Sequence, residues 1–311
     1  MSTSQQLRLV GRSECSRPGI ARSEPAAAAR SDSIALWMWW NLLSLDAPSV
    51  AVLWAVLFAR ASGTHLPFAE SMALGFSVWT VYVCDRLLDS WRISDSPVLQ
   101  ARHRFCHQHT SSFVAALLLA AGYLAWIVSQ LPRQEVTNGV KVAAVIAAYL
   151  LCVHAKAGRL ARYVPKEIFV GIVFAVGTTL SVWSQARHYS WFFLVQSSLF
   201  AILCTLNCAS IEYWETESVR SSWWSSPNLL MRLAGSRLNS LYLGAAGSAL
   251  LAAMFFYTLL QSPSVLLAVA AGALSLLLIN CKSADLSKDA LRVLADAALV
   301  VPAILALAVR T

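Results

Sequence analysis

Residues 81–92 read VYVCDRLLDSWR, with Asp85 and Asp89 four positions apart and Arg86 between them. On a helix that spacing turns both carboxylates to one face, which Tyr82 shares. A second group, LNCASIEYWETE at 206–217, brings Asn207, Glu212 and Glu215 toward one face, the two glutamates three positions apart. Acids this close repel by a few kcal/mol at an effective dielectric near 20 unless a cation stands among them. Oxygen-only ligands suit a hard ion such as Mg²⁺, which binds through a few carboxylates, water and the oxygens of a substrate phosphate. Arg86, Arg102, Arg104 and Lys156, with Arg159 and Arg162 behind, would surround the remaining oxygens of a diphosphate. Two plainer readings stand beside this one. The arginines are also what basic loops next to a membrane look like, and Asp89 can be a solvated helix end with Asp85 paired to a loop Arg.

The elements that must position these residues are membrane helices. The 311-residue chain is 58% hydrophobic and 13% charged, and its mean hydropathy of +0.59 is far from that of a soluble domain. A spanning helix needs roughly 20 mostly apolar residues. Nine such runs lie near 35–60, 67–88, 112–131, 138–155, 166–185, 190–211, 238–260, 263–281 and 290–309. With the N-terminus in the cytoplasm, 19 of the 24 Lys and Arg fall on the inward side, leaving Arg60, Arg133, Lys141, Arg187 and Arg310 outside. Both acidic groups then end spans on the cytoplasmic side, the second and the sixth, and face one cavity. The expected fold is therefore all-α and polytopic, with nine transmembrane helices around a central cavity opening to the cytoplasm, in an inner membrane. The net charge of +8 calls for anionic lipid head groups and for no nucleic acid.

Residues 1–34 are polar and rich in Arg and Ala, and read as a disordered cytoplasmic tail ahead of a membrane domain at 35–311. An Arg- and Ser-rich transit peptide is opposed by Glu14, Glu24 and Asp32. Seven scattered cysteines give no CxxC pair, no disulfide framework and no zinc spacing, and His103, His107 and His109 around Cys106 fit no standard zinc site. Trp37, Trp39, Trp40, Trp223 and Trp224 have the placement of interfacial anchors.

With nine spans and acidic motifs after the second and sixth, the chain resembles the UbiA superfamily of intramembrane prenyltransferases over roughly residues 35–309. VYVCDRLLD occupies the place of the family's NDxxDxxxD motif, keeping the last two acids as Asp85 and Asp89, with Val81 and Tyr82 at the leading Asn-Asp. NCASIEYWE occupies the second motif, with Glu212 and Glu215 for aspartates and Asn207 for the leading asparagine. YLLCVHAKAGRLARYVPKEIFVGIVFAVGTTL, at 149–180, looks like the family's Tyr-to-Lys stretch and glycine-bearing fifth helix. The resemblance implies transfer of an isoprenyl group from a prenyl diphosphate to a membrane-soluble acceptor, aromatic or lipid-like. It implies Mg²⁺ on Asp85, Asp89, Glu212 and Glu215, substrate contacts from Tyr82, Arg86, Arg102, Arg104 and Asn207, and Lys156 on the leaving diphosphate. Asp46 in the first span and Asp296 in the ninth become acids that take the acceptor's proton or steady an allylic cation. Helix-to-helix hydrogen bonds, or an Asp296–Arg292 pair, are the structural alternative for both. A non-catalytic or cyclase-like prenyl-lipid binder and a cation-coupled transporter remain as other classes. Acids gathered at one face suit an enzyme cavity better than the midplane site of a transporter.

Overall fold

The computed structural model describes residues 36–92, 101–154, 165–185, 191–217, 237–258 and 262–309, with backbone alone at 36–38, 89–92, 101–104, 153–154 and 216–217. The tail at 1–34 lies outside the described residues. So do Lys156, Arg159, Arg162, Trp223 and Trp224. Everything described is helix and short connection, without a strand. The helices are α1 (Leu36–Leu42), α2 (Asp46–Ala61), α3 (Phe68–Arg92), α4 (Ala101–Gln108), α5 (Thr110–Val128) and α6 (Arg133–His154). They continue as α7 (Lys166–Gln185), α8 (Trp191–Glu217), α9 (Leu238–Tyr257), α10 (Ser264–Cys281) and α11 (Lys288–Ala308).

Among the described residues, seven helices, α5 to α11, are long and apolar enough to cross a membrane. The run expected at 35–60 is broken into α1 and α2. At 16 residues and about 1.5 Å per residue, α2 reaches about 24 Å, less than the hydrocarbon thickness of about 30 Å. The run at 67–88 lies in α3, which is 25 residues long but carries Glu70, Asp85, Arg86, Asp89 and Arg92. A further helix, α4, occupies a stretch expected as loop.

The break after α1 has a definite cause. Ser44 takes a left-handed φ of 60°, rare for a residue with a side chain. It does so where a helix C-terminus leaves carbonyls without intrahelical donors. Arg86 of α3 donates from Nη1 to the carbonyl oxygens of Asn41 and Leu42 at 2.9 and 3.5 Å, and Trp79 Nε1 donates to Leu43 O at 3.0 Å.

The main core joins α2, α7, α8, α9, α10 and α11. Trp54 stacks on Phe200 with ring centroids 4.2 Å apart, and its indole N–H reaches Leu299 O at 3.0 Å. Ala245, Ala246, Ala249 and Ala253 of α9 and Ala268, Ala270 and Ala273 of α10 are all buried. Small side chains let helices approach closely where lipid gives no hydrophobic drive. Val83, Leu87, Cys106 and Phe113 form a second, smaller core that holds α4 and α5 against α3. At the other end of α2, Arg60 caps α11 by donating to the carbonyls of Leu307 and Val309.

Candidate functional site

The C-terminal part of α3, the first turn of α7, the last turns of α8 and the first turns of α11 carry the charged groups of one end of the bundle. Asp85 accepts from Lys166 Nζ at 3.1 Å to one carboxylate oxygen and 3.5 Å to the other. The lysine side chain is 46% exposed and the aspartate 20%, so this pair stands at the rim. Arg86, one residue on, points about 100° away around the helix. Its guanidinium is buried, lies 4.8 Å from the centroid of the Tyr82 ring, and comes within 3.9 Å of Asp46. Lys166, rather than Arg86, is therefore the cation beside Asp85.

Asp46, expected to face the cavity, is buried at the head of α2. It accepts from Asn41 Nδ2 at 2.9 Å and from its own neighbour's N–H, Ala47, at 3.0 Å. Together with Arg86 it ties the broken first helix to α3. The charge of Arg86 also reaches α4. Burial pushes the Cys106 thiol up and Arg86 draws it back down, leaving a packed, protonated thiol.

The second motif divides among three directions. Glu215 pairs with Arg292 of α11, whose side chain is 6% exposed. Glu212 lies on the exposed side of α8. Asn207 is buried, with no hydrogen-bond partner for Oδ1. Trp214, on the same side of α8 as Asn207, donates to Asn280 of α10 at 2.8 Å. Arg292 thus meets Glu215, where the sequence reading had weighed it as a partner of Asp296.

Cys208, seven residues before Glu215, joins the two halves. The charges of Asp296, Glu167 and Lys166 all act on its thiol, and those of Lys166, Glu167 and Asp85 act on the Tyr149 hydroxyl of α6. The acid-bearing ends of α3 and α8 are thus linked through α7 and α11 into one polar region. Sequence reasoning did not single out Lys166, Glu167 or Tyr149. The signal for Glu167 was an acid in the first turn of an apolar helix, where the peptide dipole favours negative charge.

The side chains of Asp89, Arg102 and Arg104, and all of Lys156, lie outside the described residues. Among the described residues no three His, Cys, Asp or Glu are grouped to hold a metal ion. For Mg²⁺ the fit is unequal. Asp85, at the rim with a half-exposed lysine as partner, suits an ion that arrives on a phosphate. Glu215, clamped by a buried arginine, does not suit a resident ion. No protein-family model matches the chain, and no curated protein or solved structure matches it significantly.

Proposed function

We propose that the chain is a divergent intramembrane prenyltransferase of the UbiA type, with nine spans and a cavity opening to the cytoplasmic side of an inner membrane, where its N-terminus also lies. It transfers an isoprenyl group from a prenyl diphosphate to a membrane-soluble acceptor, aromatic or lipid-like. The observation that carries this reading is the convergence of Asp85, Lys166, Glu167, Cys208 and Asp296 from four helices on one end of the bundle. α1–α2 and α3 complete the nine spans, their charges answered within the protein by Arg86 and Lys166.

In this mechanism the diphosphate enters at the rim. Asp85, Asp89 and Glu212 would hold Mg²⁺, which would supply charge neutralisation for the leaving group. Lys166 exchanges Asp85 for a phosphate oxygen, and Lys156, Arg102 and Arg104 add further donors. Pre-placed donors aimed at charge that develops on the leaving diphosphate are the main source of rate in such a transfer. Asp46 and Arg86 position the first helix, and Asp296 would take the acceptor's proton or steady the allylic cation.

A second reading has its own observation. Asp85 and Glu215 already carry protein cations, which is what a non-catalytic prenyl-lipid binder would keep. Purified protein with labelled geranyl, farnesyl and geranylgeranyl diphosphates, with and without Mg²⁺, separates the two. Mg²⁺-dependent diphosphate release supports the enzyme, binding without release supports the lipid binder, and neither outcome ends both.

A further inference from the structure

Glu167 is 6% exposed, and its Oε2 has no hydrogen-bond partner. A buried acceptor without a donor is costly in any protein and more so beside hydrocarbon. Glu167 lies in the first turn of α7, where the helix dipole favours an anion, and follows Lys166 in the chain. It faces α8 across a very close helix crossing. One turn further along α7, a Cβ on Gly171 would come within 2.8 Å of Thr205 N and 2.9 Å of Ala201 O. No side chain fits there, and that approach brings Glu167 to the Cys208 thiol rather than to solvent.

The surroundings limit what can answer this oxygen. Among the described residues, Cys208 and Tyr149 are groups on which the Glu167 charge acts. The Tyr149 ring stacks on Phe169 with centroids 3.6 Å apart and planes 14° from parallel, and its own hydroxyl lacks a partner. A hydrated Mg²⁺ needs an octahedron of oxygens and keeps several waters, which a thiol and a stacked aromatic pair do not offer. A neutral hydroxyl on a flat apolar body meets every demand: it gives Oε2 a donor and lays its ring against Tyr149 and Phe169.

We infer that Glu167 is the residue that recognises the acceptor, by accepting a hydrogen bond from a hydroxyl on an apolar ring held beside Tyr149, Phe169 and Cys208. This rests on the prenyltransferase reading for its name as an acceptor site, but its test does not need transfer to occur. Binding of 1-naphthol and of its methyl ether, 1-methoxynaphthalene, to the full-length protein in detergent is read by energy transfer from tryptophan, with empty micelles subtracted. A site built around a hydroxyl rejects the analogue that lacks it.

The parent should prefer naphthol at least tenfold, about 1.4 kcal/mol. Glu167→Leu should bind both alike, Glu167→Gln should keep a reduced preference, and Asp285→Asn, exposed in the connection between α10 and α11, should match the parent. Equal binding of the two probes by the parent, no binding of either, or an undiminished preference in Glu167→Leu overturns the inference. If the leucine variant does not fold, an unreduced preference in Glu167→Gln overturns it equally. Prenyl diphosphate binding on the same preparations reports separately on the proposed function: its absence in the parent sinks that reading while leaving the hydroxyl test to be judged on its own result.

Discussion

The two ends of α3 hold their acids in different ways. Near its C-terminus Asp85 has Lys166 and, through Arg86, Asp46 has a guanidinium; across the same end Glu215 has Arg292. Near its N-terminus Glu70 has the hydroxyl of Ser181, and Glu135 of α6 has the hydroxyl of Ser184, with no cation in either contact. A hydroxyl satisfies one lone pair and fixes α3 and α6 to the last turn of α7. A cation does something else, since a phosphate or another anion can compete for it. The first end can therefore exchange partners, whereas the second end serves as a clasp. Within the first end, burial sorts the pairs further: Asp46–Arg86 is enclosed, Glu215–Arg292 nearly so, and Asp85–Lys166 stands open to a ligand.

The largest effect should come from the enclosed pair. Arg86→Leu removes the cap on the α1 carbonyls and leaves Asp46 buried without a charge partner, a change that costs about 3–5 kcal/mol when one member of a buried pair is lost. Thermal unfolding in detergent should fall accordingly, and the double variant Arg86→Leu/Asp46→Asn should regain part of the loss. A double variant no better than the single one would mean that Asp46 and Arg86 are not coupled, and the ordering of pairs by burial would fail at its first step.

Next comes Arg292→Met, expected to cost about 2–4 kcal/mol because Glu215 retains partial access to water. Replacing Glu215 by leucine in the same chain should restore most of that stability, measured in the same scan. An equal penalty in the double variant would show that Arg292 holds something other than Glu215.

Asp85→Asn separates stability from function. Its lysine is half exposed, so losing the pair should change stability by at most about 1 kcal/mol. Mg²⁺-dependent affinity for a prenyl diphosphate should nonetheless drop at least tenfold, about 1.4 kcal/mol, in titration calorimetry. Parent-like affinity in a folded Asp85→Asn protein would make the rim pair structural like the others, and the enzyme reading would go with it.

How much of this was legible in the sequence follows from the range of each interaction. Run length and composition identified α5 to α11, because crossing hydrocarbon is a local demand on about twenty residues. The spacing of Asp85 and Asp89 named a shared face, but helical periodicity says nothing of what stands opposite. Lys166 lies 81 residues from Asp85, and Arg292 lies 77 residues beyond Glu215. The break at Ser44 was hidden for the same reason, since the donor that makes it tolerable is Arg86. Glu167 is not set apart by its type or spacing in the sequence. What marks it is a buried oxygen without a donor, a property that exists only once α7 and α8 have packed at Gly171.

The smallest effect is expected at the far end, and it tests whether that end is only a clasp. Ser184 donates to Glu135 of α6 and lies 2.8 Å from the carbonyl oxygen of Ser181 within its own helix. One hydroxyl proton serves one acceptor at a time, so Ser184→Ala removes a single shared donor. Glu135 lies in the first turn of α6, where backbone N–H groups and the dipole still favour its charge. It is only part-buried in this contact, so water can take the place of the lost hydroxyl. The cost should therefore be that of one ordinary hydrogen bond, about 1 kcal/mol, seen as a small decrease in unfolding temperature. Prenyl diphosphate affinity should be unchanged, because the contact lies roughly 27 Å along α7 from Lys166 at about 1.5 Å per residue. A loss of affinity in Ser184→Ala would mean that the clasp sets the position of Lys166 at the other end of α7, and the two ends would then have to be treated as one coupled device.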